Sequence, residues 1–574
     1  MRNPQRGSFG MITGMTPWIT LLLGVLLTLP PAACCAEAPA RGDSVMVASA
    51  HPLATSAGLE ILRQGGNAVD AAIAVAFALA VCEPYSSGIG GGGFAILFDA
   101  ANGRVQSLDC RETAPASATR DMYLIDGEPD AELSCYGPRS VAVPGMVRGM
   151  WDLHQVAGSL AWQRLLAPAI RLAGGGIPVS PMLRERIRGK AERFDEAARS
   201  IFMPGGAVPP VGAVLRQRDL ERTLGAIATH GPDAFYRGPV ATAIVRACAD
   251  AHGGVSLSDL AAYRPHWREP VRGRYRHLEV VSMAPPSSGG VHLVQMLNIL
   301  EGFDLQTPGY GSAAAWHLMT EAMRFAYADR SRFLGDTDFV DVPVKRLTAR
   351  SYADSLRGRI SPDRAIARGQ IQGVAMEAAE SDETTHLSVV DGQGNAVAAT
   401  LTINLTFGSG LVAPGTGILL NNEMDDFVAA PGRPNAFGLV GGEANSIAPG
   451  KRPLSSMTPT LLLDGGRVVM VTGTPGGSKI ITTTLQTVVH VVDFEMDALQ
   501  AVSVPRIHHQ WFPRMLYHEP YGVSPDTGRR LSELGHRLKE RSPMCNAQVI
   551  VVDPETGVRF GASDPRGMGL SAGY

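Results

Sequence analysis

An α+β fold is expected for this 574-residue chain, on three observations. Residues 144 to about 359 read as mainly helical, whereas beyond Thr384 the pattern turns to short β-branched runs and tight turns. An apolar content of 45% against 18% charged residues describes a globular chain with an ample core, neither disordered nor fibrous. The net charge of −3 provides no basic footprint, which argues against nucleic acid as a partner.

The first 36 residues read as an export signal. Arg2 and Arg6 precede an apolar run from Trp18 to Leu29, followed by Pro30-Pro31 and the small residues up to Ala36. Cleavage after Ala36 is expected, and the run is short for a membrane span. The mature chain is therefore expected in the periplasm or secreted, without a membrane span. Cys34 as a lipidated N-terminus is the alternative, and Pro31 sits badly in such a site. The remaining cysteines, Cys82, Cys110, Cys135, Cys248 and Cys545, are scattered and resemble neither a zinc site nor a disulfide scaffold.

Along the chain, residues 53–64 form a helical pattern closed by Gly65-Gly66. Asn67 then caps a second helix, 68–82, apolar on nearly every face and hence a buried core helix. Gly88, Gly90 and Gly93 satisfy G-x-G-x-x-G literally, but a helix precedes them and a strand, 94–98, follows. That is the reverse of a dinucleotide loop, so close backbone packing beneath a site is the better reading. Residues 99–103 turn into a strand that ends at Arg111, either an anion clamp or a surface ion pair with a neighbouring acid. Helices are expected over 161–172 (kinked at Pro168), 183–200, 218–228 and 313–333, with a strand over 272–283. Ser287-Ser288-Gly289-Gly290 lacks the G-x-S-x-G elbow and reads as a loop leading into the helix from Val291. Later, 460–463 pairs with 467–471 and 549–552 with 558–561, separated by an amphipathic helix, 479–493.

The richest stretch is Glu383-Thr384-Thr385-His386, where a polar loop enters a buried strand. Cleavage before Thr384 would leave a hydroxyl and a free α-amine on one residue. An α-amine has a reference pKa of about 7.7–8.0, so the nucleophile would carry its own base. Polar residues then gather at later strand ends and loops: Thr402, Asn404, Glu423, Asp426, Ser455, Ser456, Gly476 and Gly477. Acids with Asn suit a cationic amine, Arg with Ser suits a carboxylate, and glycine amides suit an oxyanion. The set would hold an α-amino acid head-group and carry out acyl transfer on its side chain.

In joint order these motifs resemble the γ-glutamyltransferase (glutathione hydrolase) family of N-terminal-nucleophile hydrolases. The resemblance runs from Ser49 to Tyr574 through Asn67–Ala72, the glycines at Gly90, Arg111–Pro115, Thr384-Thr385-His386, Asp426, Ser455-Ser456 and Gly561–Arg566. It implies a four-layer αββα sandwich formed jointly by a large chain, 37–383, and a small chain, 384–574, produced by self-cleavage at Glu383–Thr384. It implies that Thr384 is the nucleophile and that Thr402 hydrogen-bonds and assists it. Arg111, Ser455 and Ser456 would hold the substrate α-carboxylate; Asn404, Glu423 and Asp426 would hold the α-amine. Gly476 and Gly477 would donate N–H groups to the oxyanion. Phe437 falls in a lid-like loop where some bacterial relatives carry tyrosine, and Glu423 stands where some carry glutamine.

The activity so implied is cleavage of the γ-glutamyl amide of glutathione and related compounds. The ester on Thr384 would pass to water or to an amino acid or peptide acceptor. A glutaryl- or cephalosporin-type acylase on the same scaffold is the first rival, and an unprocessed periplasmic binding protein the second. No cofactor is implied. Metal ligation is poorly served, since His508-His509 and Asp425-Asp426 are adjacent pairs and no H-E-x-x-H occurs.

Overall fold

Two seven-stranded sheets, antiparallel throughout, form the centre of the computed structural model, which describes residues 38–250, 254–367, 369–373, 383–430 and 442–574. The first runs Ala40–Gly42, Arg559–Ser563, Gln548–Val552, Arg467–Gly473, Thr460–Asp464, Leu278–Ser282, Val271–Tyr275. The second runs Leu570–Gly573, Met46–Ser49, Thr385–Val390, Ala396–Thr402, Gly92–Asp99, Arg104–Cys110, His266–Arg268.

Period-two alternation in the strands explains why both faces of both sheets are covered. In Ala396–Thr402, Ala396 and Ala398 enter the core between the sheets, while Val397, Ala399 and Leu401 enter a helical core. In Thr460–Asp464, Leu461 and Leu463 face the intersheet core and Leu462 faces the opposite helices. Pro52–Arg63, Ala68–Cys82 and Met146–Ala157 cover one sheet, with Trp162–Gly175 packed on Ala68–Cys82; Gly289–Leu300 and Lys479–Val492 cover the other, with Ala313–Phe333 packed on Gly289–Leu300. The result is the expected αββα sandwich. Every residue of Ala68–Cys82 is buried, and its start is fixed by a capping box between Asn67 and Asp70.

Strands from before Glu383 and after Thr384 are interleaved. Thr385–Val390 pairs with Met46–Ser49, Ala396–Thr402 with Gly92–Asp99, and Thr460–Asp464 with Leu278–Ser282. A chain break at residue 384 would therefore leave both sheets built from both pieces. Among the described residues no helix is long and apolar enough to cross a membrane. The leader, residues 1–36 with Cys34, lies outside the described residues. All five remaining cysteines are buried, and none forms a disulfide among the described residues.

Two expected elements are corrected. The strand over 272–283 is a hairpin, Val271–Tyr275 with Leu278–Ser282, because Arg276 adopts a left-handed φ of 54°. Its guanidinium is anchored there by Asp493 at 2.6 Å and by the carbonyl of Glu301 at 2.9 Å. The helix over 183–200 divides into Pro181–Lys190 and Glu196–Phe202. Asp195 starts the second piece by accepting from the Ala198 N–H at 2.6 Å, and the break buries Phe194 against Phe407.

The glycine run packs as expected beneath the strand that ends at Thr402. A Cβ on Gly91 would lie 2.0 Å from the Thr402 carbonyl oxygen. Gly91→Ala should therefore destabilise the fold by about 1–3 kcal/mol. Gly189→Ala, where a Cβ would meet nothing within 4 Å, should stay within about 0.5 kcal/mol. Urea unfolding of both variants checks this, and equal effects would show that Gly91 is not a packing constraint.

Candidate active site

Thr384 immediately precedes the strand Thr385–Val390, and the register of Thr385 opposite Leu401 brings Thr384 beside Thr402. Their hydroxyl oxygens lie 3.4 Å apart. The Thr384 hydroxyl also points back onto the carbonyl oxygen of Glu383, its own preceding peptide. Thr402 Oγ1 accepts the Asn404 N–H at 2.8 Å, and Asn404, at a left-handed φ of 74°, donates from Nδ2 to the Asn422 carbonyl at 2.9 Å.

The side chain of Glu383 is gripped from two directions. Arg186 pairs with it at 2.7 Å and the Ser86 hydroxyl donates to it at 3.1 Å. Thr385 Oγ1 donates to Glu83 at 2.6 Å, and Tyr85 donates to the same carboxyl at 3.1 Å. Burial raises the Glu83 carboxyl to about 7. The peptide between residues 383 and 384 is thus held by polar side chains on both flanks.

Arg111 is not a surface residue. It follows the strand Arg104–Cys110, is 1% exposed, and donates through Nη1 to Glu423 and through Nη2 to Asp426. Two of its partners are distant in sequence, so the ion pairing is that of a buried cluster and not of a surface pair. Glu112 adds a third carboxylate 3.8 Å from Nη1. Neither Glu112 oxygen, nor Oε2 of Glu423, has a hydrogen-bond partner among the described residues. Burial raises Glu112 to about 8 and Asp426 to about 6, against the pull of Arg111, and also holds Glu423 well above the usual carboxylate range. Such a cluster is suited to an incoming cation.

Ser455 and Ser456 are held by the loop before Gly289–Leu300. Ser288 donates to the Ser455 carbonyl from its N–H at 2.8 Å and its hydroxyl at 2.7 Å. Ser287-Ser288 is indeed a helix-entry loop, and it also anchors this segment. Gly476 and Gly477 adopt φ of 131° and 55°, which favour glycine, directly before the helix Lys479–Val492. That helix N-terminus supplies partial positive charge near the site.

One cavity is lined by Arg111, Thr384, Thr402, Asn404, Glu423, Asp426, Ser455, Ser456 and Gly477. Gly476 precedes it in the chain, and Phe437 lies outside the described residues. Sequence reasoning missed Arg330, which also lines the cavity. It sits within the long helix Ala313–Phe333, where the pattern signals only packing.

The Gamma-glutamyltranspeptidase family model matches residues 54–574. The chain belongs to the gamma-glutamyltranspeptidase family. It is 46% identical over 541 residues to the glutathione hydrolase proenzyme of Escherichia coli (strain K12), covering 93% of each chain. It is 38% identical over 553 residues to the Acylase ACY 1 proenzyme of Pseudomonas sp. (strain SE83), covering 94% of this chain and 96% of that one. Among solved structures, the cephalosporin acylase from Bacillus halodurans superposes with a TM-score of 0.83 at 31% identity. That alignment covers 95% of this chain and 99% of the other. The proteins it is similar to thus carry both glutathione hydrolase and acylase names.

In this gamma-glutamyltranspeptidase family member, Arg111 is the cation that offsets three buried acids. Arg111→Met should lower stability by about 3–5 kcal/mol at pH 8, where the acids left without it must be held either charged and unpaired or protonated against the solvent. Protonating these carboxyls costs less as the pH falls, so the deficit should shrink at pH 5.5. Urea unfolding at both pH values reads this. The same deficit at each would mean that lost packing, not charge, is responsible.

Proposed function

We propose that the chain is a self-cleaving γ-glutamyl hydrolase and transpeptidase acting on glutathione and related γ-glutamyl amides. The observation that carries this is the position of the Thr384 hydroxyl, set against the Glu383 carbonyl at one end of a cavity lined by Glu423, Asp426 and Arg111. In self-cleavage, Thr384 Oγ1 attacks the Glu383 carbonyl carbon, the C–N bond breaks, and Thr384 keeps the freed amine. Water hydrolyses the resulting ester, leaving Glu383 as the end of the large chain and Thr384 as the start of the small one. The interleaved strands would hold the two pieces together as a heterodimer.

In turnover, the Thr384 amine takes the hydroxyl proton as Oγ1 attacks the γ-carbonyl. N–H groups at Gly476 and Gly477 stabilise the oxyanion, and Thr402 orients the nucleophile. The leaving amine receives the proton, and water or an acceptor amine resolves the γ-glutamyl ester. Glu423, Asp426 and Asn404 hold the substrate ammonium. The apolar leader behind Arg2 and Arg6 supports export to the periplasm or medium.

The acylase-type names among the relatives keep the glutaryl reading as the rival, and the acid cluster favours the γ-glutamyl one. A glutaryl donor has no ammonium, so it would leave the acids of the cluster facing an unoccupied space.

Purified protein should separate into two fragments, the smaller starting at Thr384, whereas Thr384→Ala stays whole. Intact-mass measurement decides this, and an active, uncut wild type would refute the nucleophile assignment.

The substrate reading is tested with matched anilides. A glutaryl anilide should show kcat/KM at least ~100-fold below that of the γ-glutamyl anilide, the cost of a buried charge left without its partner. Because Asp426 sits near 6, protonation below that value weakens its hold on an ammonium. KM for the γ-glutamyl anilide should therefore rise up to about tenfold from pH 7 to pH 5, while KM for the glutaryl anilide should not. Equal kcat/KM for the two donors would give the acylase reading the lead.

A further inference from the structure

The carbonyl set against Thr384 Oγ1 belongs to Glu383, and its aim depends on how the chain is held on each side of that bond. Downstream, Thr385 is locked in register opposite Leu401. Upstream, the Glu383 side chain is buried and bound at both oxygens. Oε1 pairs with Arg186 Nη1 at 2.7 Å, and Oε2 accepts from the Ser86 hydroxyl at 3.1 Å. A carboxylate fixed at both oxygens restricts the side-chain torsions and leaves the Cα little freedom to rotate the attached carbonyl.

Arg186 is itself tied to the segment that carries Thr402. It lies on the helix Pro181–Lys190, which Ser180 starts by accepting from the Leu183 N–H at 3.0 Å. One turn on, along the same helix face, Lys190 Nζ donates to the Gly408 carbonyl at 2.8 Å, in the loop that follows Thr402 and Asn404. The neighbouring Phe407 N–H donates to the Tyr85 carbonyl at 3.1 Å, next to Ser86. Both partners of Glu383 are thus joined to one loop. A second buried acid, Glu83, is close enough to act on them: burial raises its carboxyl to about 7, Glu383 adds to the rise and Arg186 opposes it. Arg186 pairs directly with Glu383, and Lys190 also interacts with it electrostatically, so the two acids share positive charge from one helix. Neither Arg186 nor Glu383 lines the cavity beside Thr384, which separates this clamp from the groups that would hold a substrate.

We propose that Arg186 is a positioning residue for self-cleavage: through its ion pair with Glu383, backed by Ser86, it holds the scissile carbonyl in place for Thr384 Oγ1. The step it assists moves the Glu383 acyl group from nitrogen to oxygen. The Oγ1–C bond forms, the C–N bond breaks, the hydroxyl proton passes to the freed amine, and water then hydrolyses the ester. This rests on the self-cleavage reading above and extends it to what aims the bond.

The experiment follows self-cleavage as a first-order process in full-length chain made by cell-free translation, with the fragments separated by gel electrophoresis. Substrate turnover does not enter the readout. Arg186→Gln should slow cleavage by about tenfold to a hundredfold, the scale of a lost alignment between reacting groups. Arg186→Lys, which keeps the positive charge, should stay within about threefold of wild type. Arg188→Gln, an exposed change on the same helix at a residue that pairs with Glu185, should cleave at the wild-type rate. Glu383→Gln should also slow cleavage, and combining it with Arg186→Gln should cost little more, because the two act as one unit. A wild-type rate in Arg186→Gln, a Lys variant as slow as the Gln one, or full additivity with Glu383→Gln would overturn the assignment. Should Arg186→Gln fail to fold, Ser86→Ala carries the test, with cleavage slowed about threefold to tenfold for one lost hydrogen bond. An unchanged rate there would overturn it equally. If the wild-type chain does not cut itself at all, the proposed function fails instead, so the two failures are distinct.

Discussion

The antiparallel register that sets Thr385 opposite Leu401 governs the geometry on which the site is built. It places Thr384 and Thr402 side by side at the ends of two central strands, each flanked by further strands and covered on both faces. A slip of one residue would turn Val389 and Val397 from the helical core toward the opposite sheet, exchanging every side chain between the faces. The glycine run reinforces that register from beneath, because only a residue without Cβ can approach the Thr402 carbonyl so closely. His386, buried within the sandwich, adds a polar tie by bonding Thr400 at 2.8 Å and Ser388 at 3.1 Å. Core packing and site geometry are thus one constraint.

Around this rigid pair the charged groups are arranged in a way that would be unstable in isolation. Arg111, Glu112, Glu423 and Asp426 are brought together from two separate stretches of chain into a nearly dry space. Desolvation raises the carboxyls, and the guanidinium keeps them anchored. The cluster remains short of positive charge, which is what an ammonium would complete. Arg330, a buried cation that donates to the Ser288 and Ser456 hydroxyls, lines the same cavity and acts on Asp426.

The interleaving of strands gives a physical account of how a cut chain could remain one body. Separating the pieces would break the ladders that join Thr385–Val390 to Met46–Ser49 and Thr460–Asp464 to Leu278–Ser282, exposing three cores at once. The same interleaving explains why the fold has no internal boundary at residue 384.

Local pattern alone was enough to recognise the apolar helix Ala68–Cys82, the helix Ala313–Phe333, both C-terminal hairpins and the strand that follows Thr384, whereas the loop expected before Glu383 lies outside the described residues. Each depends on periodicity or turn chemistry within a few residues, and the ordered motifs carried the family. Tertiary structure decided what depends on distant partners. A neighbouring acid, Glu112, is legible beside Arg111 in the sequence, but only the fold could deliver Glu423 and Asp426, more than 300 positions away, to its guanidinium. The hairpin at Arg276 likewise needed Asp493, and the broken helix needed Phe407. Arg330 was invisible for the same reason: on a helix, an arginine among apolar residues has no local signature that tells a solvated charge from a buried one. Sequence determines periodicity and turns through short-range sterics, whereas the pairing of buried charges is settled by which strands and helices pack together.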